Sequence, residues 1–264
     1  MKQNSRYLGA IIISPLIIFL FLGGVYLKAL VLIMSLIGMN EFFNIMKNKN
    51  INPLKYFAFA TCIIYYVFNL SLGNLFYILM LLLFILLCIP VIDTKYNFID
   101  IAVTFLGLLY VGVLFSFIPQ LYTKDYGSLL IWIIFISSWL CDTTAYYTGR
   151  FFGKRKLCPK VSPKKTIEGS IGGLLGSAIA CGLYGIFLTR YIPNIAIYHY
   201  FIIGAICGVF CQFGDLFASS VKRFVGVKDY SNLIPGHGGI LDRFDSILFA
   251  SMVTYYYVTF ILGI

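Results

Sequence analysis

Three aspartates in the C-terminal third of the chain carry the strongest chemical signal. Asp215 closes an apolar run in CQFGDLFASS, and Asp242 and Asp245 open the next one in LDRFDS. A carboxylate near a bilayer is costly without a partner, so such residues face a polar cavity or a counter-charge. The i, i+3 spacing places Asp242 and Asp245 on one helical face, with Ser246 beside them. Three carboxylates near one depth make a hard-oxygen site suited to Mg²⁺. The structural alternative is a set of salt bridges to Lys222, Arg223 and Arg243 with charge at a helix N-terminus. The intervening loop, KRFVGVKDYSNLIPGHGG from Lys222 to Gly239, favours the metal reading. Its glycines let a backbone approach an anion, and Lys222, Arg223 and Lys228 neutralise phosphate charge. His237 could contact a phosphate or order the loop. There is no GxxxxGK[ST], which excludes a P-loop NTPase.

A second basic segment runs from Gly149 to Gly169 as GRFFGKRKLCPKVSPKKTIEG. Ser162 and Thr166 are hydroxyls interleaved with Lys160, Lys164 and Lys165. Glu168 leads into a span that begins with Gly169, Gly172, Gly173 and Gly176. That glycine spacing suits close helix packing; it also suits a nucleotide phosphate at a helix N-terminus. Asp142, in SSWLCDTTAYYTG, could hold a ribose hydroxyl, a base amino group or a metal-bound water; capping is its structural alternative.

The elements that must position these groups are set by composition. Of 264 residues, 60% are hydrophobic and 11% charged, and the mean hydropathy is +0.91. A soluble domain runs near ~45–50% apolar and ~25% charged. A water-soluble globule, a disordered chain and a disulfide scaffold are excluded. Apolar runs of about 20 residues recur, each able to cross a ~30 Å hydrocarbon core as a helix. Spans are expected at 7–22, 25–46, 54–71, 74–92, 99–121, 127–148, 169–190, 198–218 and 241–262, with a tight turn at Gly23–Gly24 between the first two. The fold class is all-α, a polytopic transmembrane helical bundle of about nine spans. Lys2 and Arg6 precede a stretch too long for a signal peptide and lacking a small-residue cleavage site, so it reads as an uncleaved first span. An eight-span arrangement changes the side of the N-terminus only.

With the N-terminus cytoplasmic, 17 of the 20 Lys and Arg fall inside, and Lys28, Lys124 and Arg190 fall outside. The net charge of +10 therefore reads as topology and headgroup contact, and not as nucleic-acid binding. The seven cysteines form no CxxC pair and most lie within spans, where Cys acts as a small hydrophobe. Six of the ten acids lie between Asp142 and Asp245. Residues 1–125 are thus expected to be scaffold helices with dimer and lipid contacts. Residues 126–264 are expected to be the catalytic region, with cytoplasmic loops at 149–168 and 219–240.

The run SSVKRFVGVKDYSNLIPGHGGILDRFD, Ser219 to Asp245, resembles the C-terminal signature of the phosphatidate cytidylyltransferase (CDP-diacylglycerol synthase) family. The Asp-Thr-x-Ala-Tyr element at Asp142–Tyr146 and the Lys-x-Ser-Pro-x-Lys-Thr-x-Glu-Gly element at Lys160–Gly169 resemble two further blocks. Cys141 is a mild departure from them. The resemblance covers roughly residues 130–250. It implies CTP + phosphatidate → CDP-diacylglycerol + pyrophosphate, a requirement for Mg²⁺, and a homodimer among membrane lipids. A second, monovalent cation is a further cofactor to consider. The implied catalytic set is Asp215, Asp242, Asp245 and Lys222, with the three aspartates as metal ligands. The implied substrate-binding set is Asp142, Lys160, Ser162, Lys165, Thr166, Glu168, Ser219, Arg223, Lys228, His237 and Arg243. The expected location is a bacterial-type cell (inner) membrane, with the active site facing the cytoplasm. A CTP-dependent polyprenol or phytol kinase is the nearest rival, and an anion transporter a more distant one.

Overall fold

A computed structural model describes residues 16–68, 70 and 72–264. The helices are α1 (Leu16–Leu22), α2 (Gly24–Met46), α3 (Lys55–Val67), α4 (Leu72–Ile92), α5 (Phe98–Gly107), α6 (Leu114–Tyr122), α7 (Gly127–Phe152), α8 (Ile167–Leu188), α9 (Tyr198–Val225) and α10 (Leu241–Tyr256). A π-helical segment at Leu108–Val113 joins α5 to α6, and another at Tyr257–Ile261 extends α10. Two short strands, β1 (Lys156–Cys158) and β2 (Ser162–Thr166), pair antiparallel.

Among the described residues, seven helices are long and apolar enough to cross a membrane. They correspond to seven of the nine expected spans. Residues 7–15 of the expected first span lie outside the described residues. The chain breaks between α1 and α2 where expected: Gly23 and Gly24 have φ of 61° and 50°, which glycine adopts without a Cβ penalty. The third span differs, because α3 has 13 residues. At 1.5 Å per residue it is about 20 Å long, short of a ~30 Å core.

The loop expected from residue 219 starts later. Nothing between Ala218 and Val225 breaks a helix, so α9 continues to Val225. Gly226, at φ 77°, is the first residue suited to ending it. Ser219, Lys222 and Arg223 therefore stand on a helix. The loop expected at 149–168 begins with the last turn of α7 and holds the β1–β2 hairpin.

Two compact units emerge. The first comprises the described residues up to Ser116 together with Phe224–Arg243. Its core is aromatic: Phe42 meets Phe43 and Tyr110 edge-on at centroid distances of 5.8 and 5.9 Å, around fully buried Met39, Val111 and Phe115. Gly107 leaves room for the ring of Phe43. α5 starts at a capping box, in which Asn97 Oδ1 accepts from Ile99 N (2.7 Å) and Asp100 N (3.2 Å), and Asp100 Oδ2 accepts from Asn97 N (2.9 Å).

The second unit comprises Phe117–Arg223 and Phe244–Ile264. Here α7 and α8 pack through small residues. A Cβ on Gly172 would meet the side chain of Thr148, one on Gly176 that of Thr144, and one on Gly173 the Cβ of Ala145 at 3.0 Å. The packing reading of these glycines is the one the backbone carries. α8 meets α9 where Ser177 Oγ donates to Gly204 O (2.7 Å), and α9 meets α10 where Gly214 leaves space for Asp245 O. Filling the α7–α8 contact should cost about 1–3 kcal/mol by overpacking. Gly173→Leu should lower the unfolding midpoint of the purified protein in detergent. Ile179→Leu, on the exposed face of α8, should leave it unchanged; equal midpoints for both would refute this packing.

Candidate active site

The second unit holds a cavity of about 360 Å³ between the C-terminal part of α7, the hairpin and α9. Along α7, Asp142, Ala145, Tyr146, Gly149 and Arg150 line it. These positions follow i, i+3, i+4, i+7, i+8, so one face of one helix supplies an acid and a base two turns apart. Leu157, Lys164, Lys165 and Thr166 come from the hairpin, Gly169 and Ser170 from the first turn of α8, and Gln212 and Asp215 from α9. Two carboxylates and three cations thus converge on a space typical of small-ligand sites, ~300–1,000 Å³.

The hairpin is held by an acid in the first turn of α8 and by its own hydroxyl. Glu168 Oε2 accepts from Lys154 N (3.0 Å) and Arg155 N (3.2 Å), and Ile167 N donates to Arg155 O (2.9 Å). Thr166 caps α8 by accepting from Gly169 N at 3.1 Å. Lys165, so placed, reaches across to Asp215: Nζ and Oδ2 lie 2.5 Å apart. Gln212, one turn before Asp215, is locked by donating to Ser170 O (3.1 Å) and Gly208 O (3.0 Å). Ser219 Oγ donates to Asp215 Oδ1 at 3.4 Å, and Arg223 Nε donates to Val161 O at 3.4 Å. Asp245 is buried, and the charged groups that act on it are Asp215, Lys222 and Asp142.

The Gly-rich loop belongs to the first unit, and one residue from far upstream holds it. Glu41, buried in α2, accepts from Ser231 Oγ (Oε1, 2.6 Å), Ile240 N (Oε1, 3.0 Å) and Leu241 N (Oε2, 2.9 Å). The last two amides are at the start of α10, where a negative charge is stabilised. Gly239 is required here, since a Cβ would stand 2.5 Å from either Glu41 oxygen. Asp242 Oδ2 accepts from Tyr230 N (2.8 Å) and Gly239 N (3.0 Å), closing the loop from inside. Gly236 and Gly238, at φ 75° and 84°, make the turn between them. His237 Nδ1 lies 3.4 Å from Pro235 O, and its backbone N–H donates to Ile234 O.

Of the residues expected from sequence, the cavity gathers Asp142, Lys165, Thr166 and Asp215. Lys160 and Ser162 belong to the hairpin and Glu168 to the first turn of α8, none of them lining the cavity, and Lys228 and Arg243 are exposed in the first unit. Among the described residues, no group of three or more His, Cys, Asp or Glu side chains is arranged to hold a metal ion. Asp215 and Asp245 provide hard oxygens in one unit, and Asp215 already accepts a cation, the ammonium of Lys165. That donor chemistry fits Mg²⁺, which takes one or two carboxylates and completes its shell with substrate phosphates and water. Sequence reasoning missed Arg150, Ser170, Gln212 and Glu41. The helical face through Asp142 pointed to Arg150. Glu41 is an acid inside an apolar run, itself a signal of function.

Residues 4–261 match the family model described as "Cytidylyltransferase family". The chain belongs to that family of nucleotidyltransferase enzymes. It is 38% identical over 259 residues to a phosphatidate cytidylyltransferase of Staphylococcus haemolyticus, covering 94% of this chain and 95% of the relative. It is 34% identical over 261 residues to one of Staphylococcus epidermidis, with the same coverage. An alignment at 44% identity to one of Staphylococcus saprophyticus covers 167 residues, 63% of this chain and 62% of that protein.

Removing Glu41 leaves a hydroxyl and two buried amides without their acceptor, at about 1–3 kcal/mol for each group left unsatisfied. Glu41→Ala should speed proteolysis and amide exchange within residues 231–241 while α7 and α8 keep their protection. Exchange in 231–241 equal to that of the parent protein would refute the role given to Glu41.

Proposed function

We propose that the chain is an integral membrane phosphatidate cytidylyltransferase that converts CTP and phosphatidate to CDP-diacylglycerol and pyrophosphate. The observation that carries this reading is the cavity of the second unit. In a chain of the cytidylyltransferase family, it combines Asp215, a carboxylate for a metal, with cations for phosphates beside a capped helix N-terminus. The relatives' names supply the lipid acceptor.

In this reading Arg150, Lys164 and Lys165 take the triphosphate, aided by the first-turn amides of α8. Asp142 meets a hydroxyl or amino group of the nucleoside. A phosphate oxygen of phosphatidate attacks the α-phosphorus in line; that P–O bond forms as the bond to pyrophosphate breaks. The acceptor is already an anion, so the protein mainly brings two polyanions together and neutralises their charge. Asp215 and Asp245 would hold Mg²⁺, which when bound supplies charge neutralisation on the phosphates. Lys165 then moves from Asp215 to the nucleotide. Asp242, the third aspartate, serves by holding the loop from Tyr230 to Gly239. The active site faces the cytoplasm of a bacterial-type cell membrane, as the excess of basic residues on one side supports.

Purified protein supplied with CTP, phosphatidate and Mg²⁺ should release pyrophosphate and form CDP-diacylglycerol in equal amounts. Asp215→Asn should reduce turnover by about 10²–10³-fold or more, while the loss of the part-exposed pair with Lys165 should cost only about 0–1 kcal/mol of stability. Release of CDP in place of pyrophosphate would identify a lipid kinase. Full turnover in Asp215→Asn would remove the metal role.

A further inference from the structure

The first unit contains a cavity of its own, about 320 Å³ in volume, that shares no lining residue with the candidate active site. It lies where α2 and α4 end and α3 and α5 begin, so it opens at the limit of the spans Gly24–Lys49, Gly73–Ile92 and Phe98–Tyr122. Lys47, Lys55 and Lys95 reach it from three separate segments, together with the amides of Asn44 and Asn52 and the rings of Tyr56 and Tyr96. Among the described residues no carboxylate pairs with these lysines. The Lys55 ammonium stands over the Tyr56 ring at 5.4 Å, and the nearby Asp93 binds the backbone amide of Lys95 (3.0 Å).

The walls are fixed. Asn52 N donates to Asp100 Oδ1 at 2.6 Å and Leu54 N to Thr104 Oγ1 at 2.8 Å, which ties the loop after α2 to α5. Three lysines lining one cavity on a fixed frame are matched by a terminal phosphate, which carries about −1.5 to −2 charge at neutral pH. A soluble anion has no use for the apolar surface beside the lysines. Val91 and Ile92, on the last turn of α4, are 84% and 83% exposed, and Tyr56 at the start of α3 is 74% exposed. Further back along α4, Leu81, Phe84 and Leu87 are exposed as well, a track for acyl chains.

We propose that this cavity is a binding site for the headgroup of an anionic phospholipid, best matched by a phosphomonoester lipid, with the acyl chains lying along α4. The site is defined by its own residues and does not rest on the proposed reaction. The test uses the full chain in phosphatidylcholine vesicles with a trace of phosphatidate bearing a photoreactive diazirine near the headgroup, the label being mapped by peptide mass spectrometry. Label is expected on peptides spanning 44–57 and 93–96. Unlabelled phosphatidate should compete it away, whereas inorganic phosphate at the same concentration should not. Each basic residue near an anionic lipid contributes roughly fivefold to binding. K47Q/K55Q/K95Q should therefore cut labelling there by about tenfold or more, and K47R/K55R/K95R should retain it. Should the Gln variant not fold, the Arg variant and the competition on the unaltered protein still decide. No label on these peptides, equal labelling of the Gln variant, or competition by inorganic phosphate as effective as by phosphatidate would each overturn the proposal.

Discussion

A charge at the edge of a hydrocarbon layer must find a counter-charge or a set of donors, and the functional parts of this protein are arranged around that requirement. Asp215 meets Lys165 at 2.5 Å. Glu41 collects a hydroxyl and two backbone amides at the start of α10, and Asp242 collects two more from the loop it closes. Neither arrangement tolerates a larger residue in its way. Gly239 yields space to Glu41, and Gly238 yields it to Asp242, whose Oδ2 would stand 2.8 Å from an added Cβ. The Gly-rich loop is thus ordered by carboxylates, one of them some 200 residues away in sequence.

The same requirement explains why a cavity with fixed charges suits nucleotidyl transfer. Two polyanions repel one another, and a site that already carries Arg150, Lys164 and Lys165 removes that repulsion without reorganisation at the moment of reaction. The Lys165–Asp215 pair satisfies both charges, and in the proposed reaction it is the contact that substrates would exchange. Hydrogen bonds from Gln212 to α8 and from the 154–155 amides to Glu168 hold the walls, so the pair can open while the frame stays in place.

Much of this was legible in the sequence. Apolar runs of about 20 residues located the spans, and the breakers at Gly23 and Gly24 located the first turn. Asp142, Lys165, Thr166 and Asp215 were recognisable from residue type and from segments that resemble family blocks. The shortness of α3 was hidden, because Asn69 and Ser71 only dilute the apolar run after Val67 and no Pro or Gly stands there before Gly73 to end a helix. The extension of α9 to Val225 was hidden because Lys and Arg mark a membrane edge without ending a helix. Glu168 was expected among the substrate ligands; that it also accepts the backbone amides of Lys154 and Arg155 was hidden, because periodicity carries no trace of such a tertiary bond. Glu41 was the clearest signal left unused, an acid in a run of apolar residues. What it binds depends on a contact that no local pattern encodes.

In the proposed reaction the cavity beside α7 and α8 takes the triphosphate and Asp215 carries the metal. Crystals of the protein grown with CTP and Mn²⁺ test it most directly, through the anomalous signal of the metal and the density of the nucleotide. A Mn²⁺ peak is expected on the Asp215 carboxylate, with phosphates against Arg150, Lys164 and Lys165. A metal peak away from Asp215, or a nucleotide bound outside the residues that line this cavity, would contradict it.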